Sequence, residues 1–193
     1  MTEERLSTKD RPLRRTPRAL TPEQALEVID ATDHAVLSTC DPAGNPYGTA
    51  VSPVRVGNVL YFHSTGLPGG RKTDNMLANP RVSLFFIGKA TTLPEWYSVD
   101  FASAVVAGTA KPVTDDEEKM TAMRALLKRH APGNSEERNR VQFENRMRWA
   151  EVWRVDIESI TGKARGAAKW EAGKSIHEVQ NMGPSKWLIG VPL

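Results

Sequence analysis

The apolar positions of this chain change period several times, and each change predicts an element. Ala25, Val28 and Ile29 recur at helical spacing. Thr21 precedes them as an N-cap, with Pro22 at the first helical position and Gln24 placed to complete a capping box, so a helix is expected from Thr21 that ends by Asp33. The run HAVLSTC, His34 to Cys40, is β-branched and apolar, and the turn-forming Asp41-Pro42-Ala43-Gly44-Asn45 stops it. YGTAVSPVRV follows Pro46, and Gly57-Asn58 separates it from VLYFH, the pattern of a tight hairpin. Three consecutive strands are therefore expected as an antiparallel meander. Pro53 has no N–H to give a ladder, which makes its strand an edge, a bulge or open on one side at that point.

Beyond Tyr61 the period switches again. Arg71 to Asn79 predicts a short helix with Met76 and Leu77 facing inward, stopped by Asn79-Pro80. RVSLFFI, Arg81 to Ile87, reads as a fourth strand covered on both faces. After a loop with Pro94 and Trp96, Val99 to Val113 makes a fifth, with a bend at Gly108. Thr114 is placed to cap the next helix, with Glu117 closing a capping box, and Met120, Met123 and Leu127 form its packing stripe. The charged segment Gly133 to Arg148 suits a second, exposed helix, and His130 reads as a helix-end cation. In the sixth strand, from about Trp149 to Ile160, Trp153, Val155 and Ile157 alternate with Arg154, Asp156 and Glu158. Strands that pair non-locally point to a mainly β (α+β) antiparallel barrel of six strands with flanking helices, and against a βαβ arrangement.

Composition adds limits to this pattern. The 193 residues suffice for one filled core, and the formal net charge of +3 arises from interleaved charges, which is no nucleic-acid footprint. The exception is residues 1–20, an extended arm broken by Pro12 and Pro17 in which Arg5, Lys9, Arg11, Arg14, Arg15 and Arg18 outnumber the acids. No aromatic residues are interleaved there to stack on bases, so the arm reads as solvated or as crossing onto a partner subunit. Residues 21–163 form the main domain. Residues 164–193, with Trp170 and Trp187, are expected to dock on the body or on a partner. No apolar run reaches the roughly 18 residues of a membrane span and no signal peptide opens the chain, so a cytoplasmic location is expected, which the lone Cys40 suits.

The chemistry concentrates in YFHSTGLPGGRKTD, Tyr61 to Asp74. A strand end leads through a glycine-rich turn, with Gly66, Gly69 and Gly70, into a helix start carrying Arg71 and Lys72. Glycines let a backbone approach an anion, and free N–H groups and cations at a helix start attract one, so this stretch is a candidate phosphate cradle with His63 just ahead of it. It is no nucleotide-hydrolysing P-loop: G-L-P-G-G-R-K-T puts Arg71 where that motif needs a glycine. G-x-G-x-x-G is absent, and none of His34, His63, His130 and His177 has a close-spaced partner of the familiar zinc patterns. No metal site is expected. Ser52, Ser64 and Ser103 lack a nucleophile elbow.

A phosphate-bearing organic cofactor on a small antiparallel barrel is what remains. The G-x-P-Y-G entry to the second strand, the Y-F-H-S strand end, and G-R-K followed by a short helix and N-P-R-V-S occur in order between Gly44 and Gly88. SVDFASAVVAGTA and SITGK follow further on. Together these resemble the pyridoxamine 5′-phosphate oxidase-like split-barrel flavoproteins, and among them the 5-nitroimidazole resistance branch, over Thr21 to Lys163. The resemblance implies a split β-barrel with FMN at the interface of a homodimer. It implies that Arg71 and Lys72 hold the phosphate and that Thr49, Ala50, Val51 and Ser52 lend backbone groups to the flavin edge. Phe62, His63 and Ser64 would then lie beside the ring, and Ser103 would reach the cofactor across the interface.

The expected function is an FMN-dependent oxidoreductase that reduces nitroimidazole-like or other small planar acceptors, with His63 binding or protonating the substrate. The alternatives are a split-barrel reductase that uses the deazaflavin F420, and a non-catalytic barrel that stores or senses flavin or haem.

Overall fold

The computed structural model describes residues 13, 18–66, 69–145 and 150–165. Most of the basic arm and the segment 166–193, with both of its tryptophans, lie outside the described residues. Helix α1 (Pro22–Ala31) starts as the sequence dictates: the Thr21 hydroxyl accepts from Gln24 N–H while the Gln24 side chain accepts from Thr21 N–H, a complete capping box. Strands β1 (Ala35–Cys40), β2 (Pro46–Val51), β3 (Val54–Val56) and β4 (Val59–Ser64) follow, then helix α2 (Arg71–Ala78). Strands β5 (Arg81–Leu93) and β6 (Ser98–Pro112), helices α3 (Asp116–His130) and α4 (Glu136–Asn145), and strand β7 (Glu151–Arg165) complete the described chain.

All seven strands belong to one antiparallel sheet in the order β2-β1-β5-β6-β7-β4-β3. The expected mainly β fold with flanking helices is present, but the meander is not. Ser52 and Pro53 cut the expected second strand in two, which gives seven strands, and its halves lie on opposite edges of the sheet. The proline withholds a donor at the point where ladder pairing stops. Val51 ends one edge and Val54 opens the other, and three residues span at most about 10 Å. The sheet must therefore curl until its edges nearly meet. The curled sheet is a barrel split at a two-residue seam.

Each hairpin follows from its turn chemistry. Val56 pairs with Val59 across Gly57-Asn58, and Gly57 takes φ +60°, the left-handed value that the first position of a primed two-residue turn needs. The expected bend at Gly108 is a bulge in the β6–β7 ladder between Ala107 and Gly108. A Cβ on Gly108 would lie 2.2 Å from the Asp156 carbonyl oxygen, so only glycine lets the two backbones approach there.

Leu37, Leu60, Phe62, Leu84, Phe86 and Trp153 are wholly buried inside the barrel, and Ala25, Val28 and Ile29 of α1 pack against them. Each large side chain buried this way contributes roughly 1.5 to 3 kcal/mol. A second cluster lies outside the barrel wall, where Tyr61, Val113 and Val152 meet Ala122, Met123 and Leu126 of α3. Period-2 alternation in β4 thus splits its residues: Leu60 and Phe62 face the barrel interior, and Tyr61 faces α3. The Tyr61 hydroxyl donates to Glu118 over 2.7 Å, and Arg154 donates to the same Glu118 oxygen over 2.6 Å, which fixes α3 to the sheet.

Three local expectations need correction. Leu77 points outward, 61% exposed, because Thr73, Asn75 and Met76 form the buried face of α2. Asp115, not Thr114, caps α3: its carboxylate accepts from Glu118 N–H at 2.7 Å and outcompetes the neighbouring hydroxyl. Strands β5 and β7 outrun their expected ends at Ile87 and Ile160, because each is paired over nearly all its length with β6. Among the described residues no helix is long and apolar enough to cross a membrane.

Candidate functional site

The seam positions two histidines. Ser52 and Pro53 join strands on opposite sheet edges, so their polar groups are not used up by a ladder. The Ser52 hydroxyl lies 3.0 Å from His34 Nδ1, in the connection from α1 to β1. His130, at the end of α3, reaches Pro53 from the other side, with Nε2 3.2 Å from the carbonyl oxygen. A carbonyl only accepts, so His130 carries its proton on Nε2. His63 follows the buried Phe62 on β4 and points to the α3 side of the sheet. His34, His63, His130 and Ser52, with Leu126 and Pro132, line a cleft of about 510 Å³. Burial pushes the His63 pKa below the ordinary histidine value, and the neighbouring His130 and Lys72 push it further down.

The glycine-rich turn leads into α2 as expected, with Gly70 as N-cap and no side chain satisfying the first turn. The Gly70 carbonyl accepts from Thr73 and Asp74, which leaves the N–H groups of Arg71 and Lys72 ahead of the first intrahelical bond. Gly69 is the glycine that geometry requires, because a Cβ there would come within 2.5 Å of the Thr73 side chain. Gly70 has open space around it. Among the described residues the Thr73 hydroxyl oxygen is buried without a hydrogen-bond partner, in a residue 1% exposed. An unsatisfied buried hydroxyl costs about 1 to 3 kcal/mol. Beside free N–H groups and two cations, it fits a turn built to receive an anion.

The cations diverge. The Arg71 guanidinium sits 5.1 Å from the centroid of the Tyr47 ring at the start of β2, a cation–π contact, and it helps to hold the Asp41 carboxylate below its ordinary pKa after the larger effect of Asn45. Lys72 acts on His63. The cradle and the cleft are thus linked along β2, from Tyr47 beside Arg71 to the seam at Ser52. Six residues at about 3.3 Å each make this path about 17 to 20 Å long.

The other expected site residues are placed as follows. Thr49 is half-buried, Ala50 exposed and Val51 buried on β2, an edge strand with one ladder side unpaired. The Phe62 side chain lies wholly in the barrel core, so only its backbone could serve a ligand. Ser64 is buried and its hydroxyl donates to Glu151 Oε2 at 3.3 Å, an oxygen that also accepts from Trp153 Nε1 at 2.9 Å. Ser103 stands apart, paired with Ile87 and Lys163, while the end of β4 pairs with the opposite end of β7 at Val152 and Glu151. The fold therefore brings Ser52 and His63 into one cleft with Lys72 beside them, holds Arg71 at Tyr47, and separates Ser103 from all of these. His34, His130 and Tyr47 were not expected at a site, and Thr73 lay within the candidate cradle stretch without an expected role of its own. Only Tyr47, within G-x-P-Y-G, stood in a motif on which the resemblance rests. Among the described residues no cluster of three His, Cys, Asp or Glu side chains could hold a metal ion.

Curled sheet, helix-start cradle and seam define a split-barrel protein. Residues 21–164 match the sequence pattern of the family described as pyridoxamine 5′-phosphate oxidase. The chain belongs to that family. Among curated proteins no relative matches. Solved structures of similar fold include a candidate 5-nitroimidazole antibiotic resistance protein from Bacteroides thetaiotaomicron, at 22% identity and TM-score 0.61, covering 75% of this chain and 85% of that one. A FAD-binding protein from Mesorhizobium loti is also 22% identical, with TM-score 0.56 and coverage of 77% and 97%. The haem storage protein of Vibrio cholerae is 18% identical, with TM-score 0.55 and coverage of 76% and 95%. At these identities the likeness is one of fold.

Proposed function

We propose that the protein is an FMN-dependent oxidoreductase that reduces small planar acceptors, nitroimidazole-like ones among them. The observation that carries the reading is the start of α2. The first-turn backbone N–H groups of the helix, with Arg71 and Lys72 on either side of them and the Thr73 hydroxyl unpartnered among the described residues, make a donor set with no acceptor of its own. A phosphate monoester supplies the acceptor oxygens this donor set lacks. From there β2 leads to the seam, where backbone groups of Thr49, Ala50, Val51 and Ser52 on an edge strand can pair with a flat heteroaromatic edge, and Phe62 can add only its backbone. The flavin supplies the electron transfer, and the protein supplies position, polarity and access. His63 lines the cleft with its pKa lowered by burial and by the neighbouring His130 and Lys72, and could donate to or accept from a substrate there.

Homodimerisation belongs to this proposal. Val36, Phe85 and Val105 face one another across β1, β5 and β6, all exposed, and the exposed Ile87 is the cross-strand partner of Ser103. A contiguous apolar row on a sheet face calls for a covering surface. A second copy of the chain placed there would also carry Ser103 toward a cofactor that its own protomer cannot reach.

A non-catalytic module that holds haem is the second reading, favoured by the three histidines converging on one cleft and by the haem storage relative. Visible absorption of the purified protein, followed by fluorescence titration with FMN and F420, separates the readings. Quenching of FMN fluorescence is expected. Protein that takes up haem or F420 and leaves FMN fluorescence unchanged would sink the proposal.

A further inference from the structure

We propose that the cleft between the Ser52-Pro53 seam and the end of α3 is the substrate subsite, and that it selects planar acceptors bearing a carboxylate. This rests on the flavin reading for the word substrate, though not for the binding site itself. The walls set the first requirement. Leu127 and Pro132 offer apolar surface to a flat ring.

The polar groups set the second. Three imidazoles enter from three elements, and two are already oriented: His34 Nδ1 by the Ser52 hydroxyl and His130 Nε2 by the Pro53 carbonyl. Among the described residues each keeps one ring nitrogen without a hydrogen bond, and the His63 imidazole makes none. The charges facing His63 are one-sided. Lys72 approaches from α2 and His130 from α3, and Arg129 lines the same cleft. The carboxylate at the cleft is Asp33, in the connection from α1, and Arg129 already engages it at 3.0 Å. A neutral ring would fill the apolar walls and leave the imidazoles without an acceptor. A carboxylate supplies acceptor oxygens and counter-charge together.

Charge also fixes the direction of the pH response. Burial, His130 and Lys72 all disfavour a proton on His63. An anion reverses the electrostatic part of that penalty, so binding takes up a proton from solvent and tightens as pH falls through the histidine range.

Isothermal titration of the full chain with 4-nitrobenzoate and with its neutral isostere 4-nitrobenzamide tests this, with and without saturating FMN. The carboxylate should bind about tenfold more tightly near pH 5.5 than near pH 8, with the amide indifferent to pH. His63→Gln and His130→Gln should each flatten the carboxylate response, and Arg71→Ala, in the cradle, should preserve it. Equal affinity for acid and amide, or a pH response that survives both histidine changes, overturns the inference. The FMN arm is read separately: pH-linked carboxylate binding by a chain that ignores FMN would uphold the cleft and remove the flavin, and the converse result would remove only the cleft.

Discussion

His130 Nε2 donates to the Pro53 carbonyl oxygen over 3.2 Å, and through it the last residue of α3 holds the two-residue joint between opposite edges of the sheet. The bond is partly buried, and a hydrogen bond of this kind contributes about 0.5 to 1.5 kcal/mol net. His130→Ala should lower the urea midpoint by that order with an unchanged m-value. A midpoint equal to the wild type would mean that the seam is held by strand pairing alone.

Loss of a cradle cation should act on the cofactor and not on the fold. Charge-assisted hydrogen bonds contribute about 1.5 to 3 kcal/mol each, so Arg71→Ala and Lys72→Ala should each weaken FMN binding about tenfold to a hundredfold. Both positions lie at the solvent-facing start of α2, and the thermal midpoint of cofactor-free protein should barely move. Unchanged FMN affinity in the double variant would place the phosphate elsewhere.

Gly108→Ala should destabilise strongly. Its new Cβ meets the Asp156 carbonyl oxygen at 2.2 Å and the Val155 side chain at 2.9 Å, and backbone cannot give way as a flexible side chain can. Overpacking of this kind costs about 1 to 3 kcal/mol or more, measurable by urea denaturation. Gly70→Ala, with nothing within 4 Å, serves as the tolerated comparison.

Acid should remove one electrostatic contribution selectively. The Lys111 ammonium, 2.9 Å from Asp156, and then Arg154 hold the Asp156 carboxylate below its ordinary pKa. A depressed carboxylate stabilises the fold above its unfolded pKa of about 3.9 and loses that contribution as pH falls through the folded value. Asp156→Asn should therefore lower the melting temperature at neutral pH, with the gap to wild type closing below about pH 4. A gap that persists at low pH would assign the loss to packing.

Charging the apolar row should abolish the proposed homodimer. Phe85→Lys and Ile87→Lys alter residues 38% and 50% exposed in the described chain, so each protomer should still fold. Light scattering should report monomers, and FMN binding should fall with dimerisation. A monomeric variant with wild-type FMN affinity would show that one protomer completes the site.

Much of this molecule is legible before it folds, for local reasons. Thr21, Pro22 and Gln24 specify α1 within four residues, and Gly57-Asn58 fixes its hairpin through a backbone angle that glycine adopts freely. The cradle was legible because a helix start, its glycine and its cations are neighbours in sequence. The cleft was not. His34 read as the first residue of a strand and His130 as a helix-end cation, and only the curl of the sheet puts both against Ser52-Pro53. Leu77 misled for a related reason, since an apolar residue on an eight-residue helix says little about which side faces the barrel.

The seam has a further consequence, for solubility. Edge strands expose unpaired backbone groups that recruit strands from other chains. Here the two edges, β2 and β3, are successive pieces of one segment, turned toward each other by a proline that refuses a partner. An incoming strand meets a closed corner in place of a flat ladder. The joint that borders the proposed ligand cleft also guards the sheet against assembling with its neighbours.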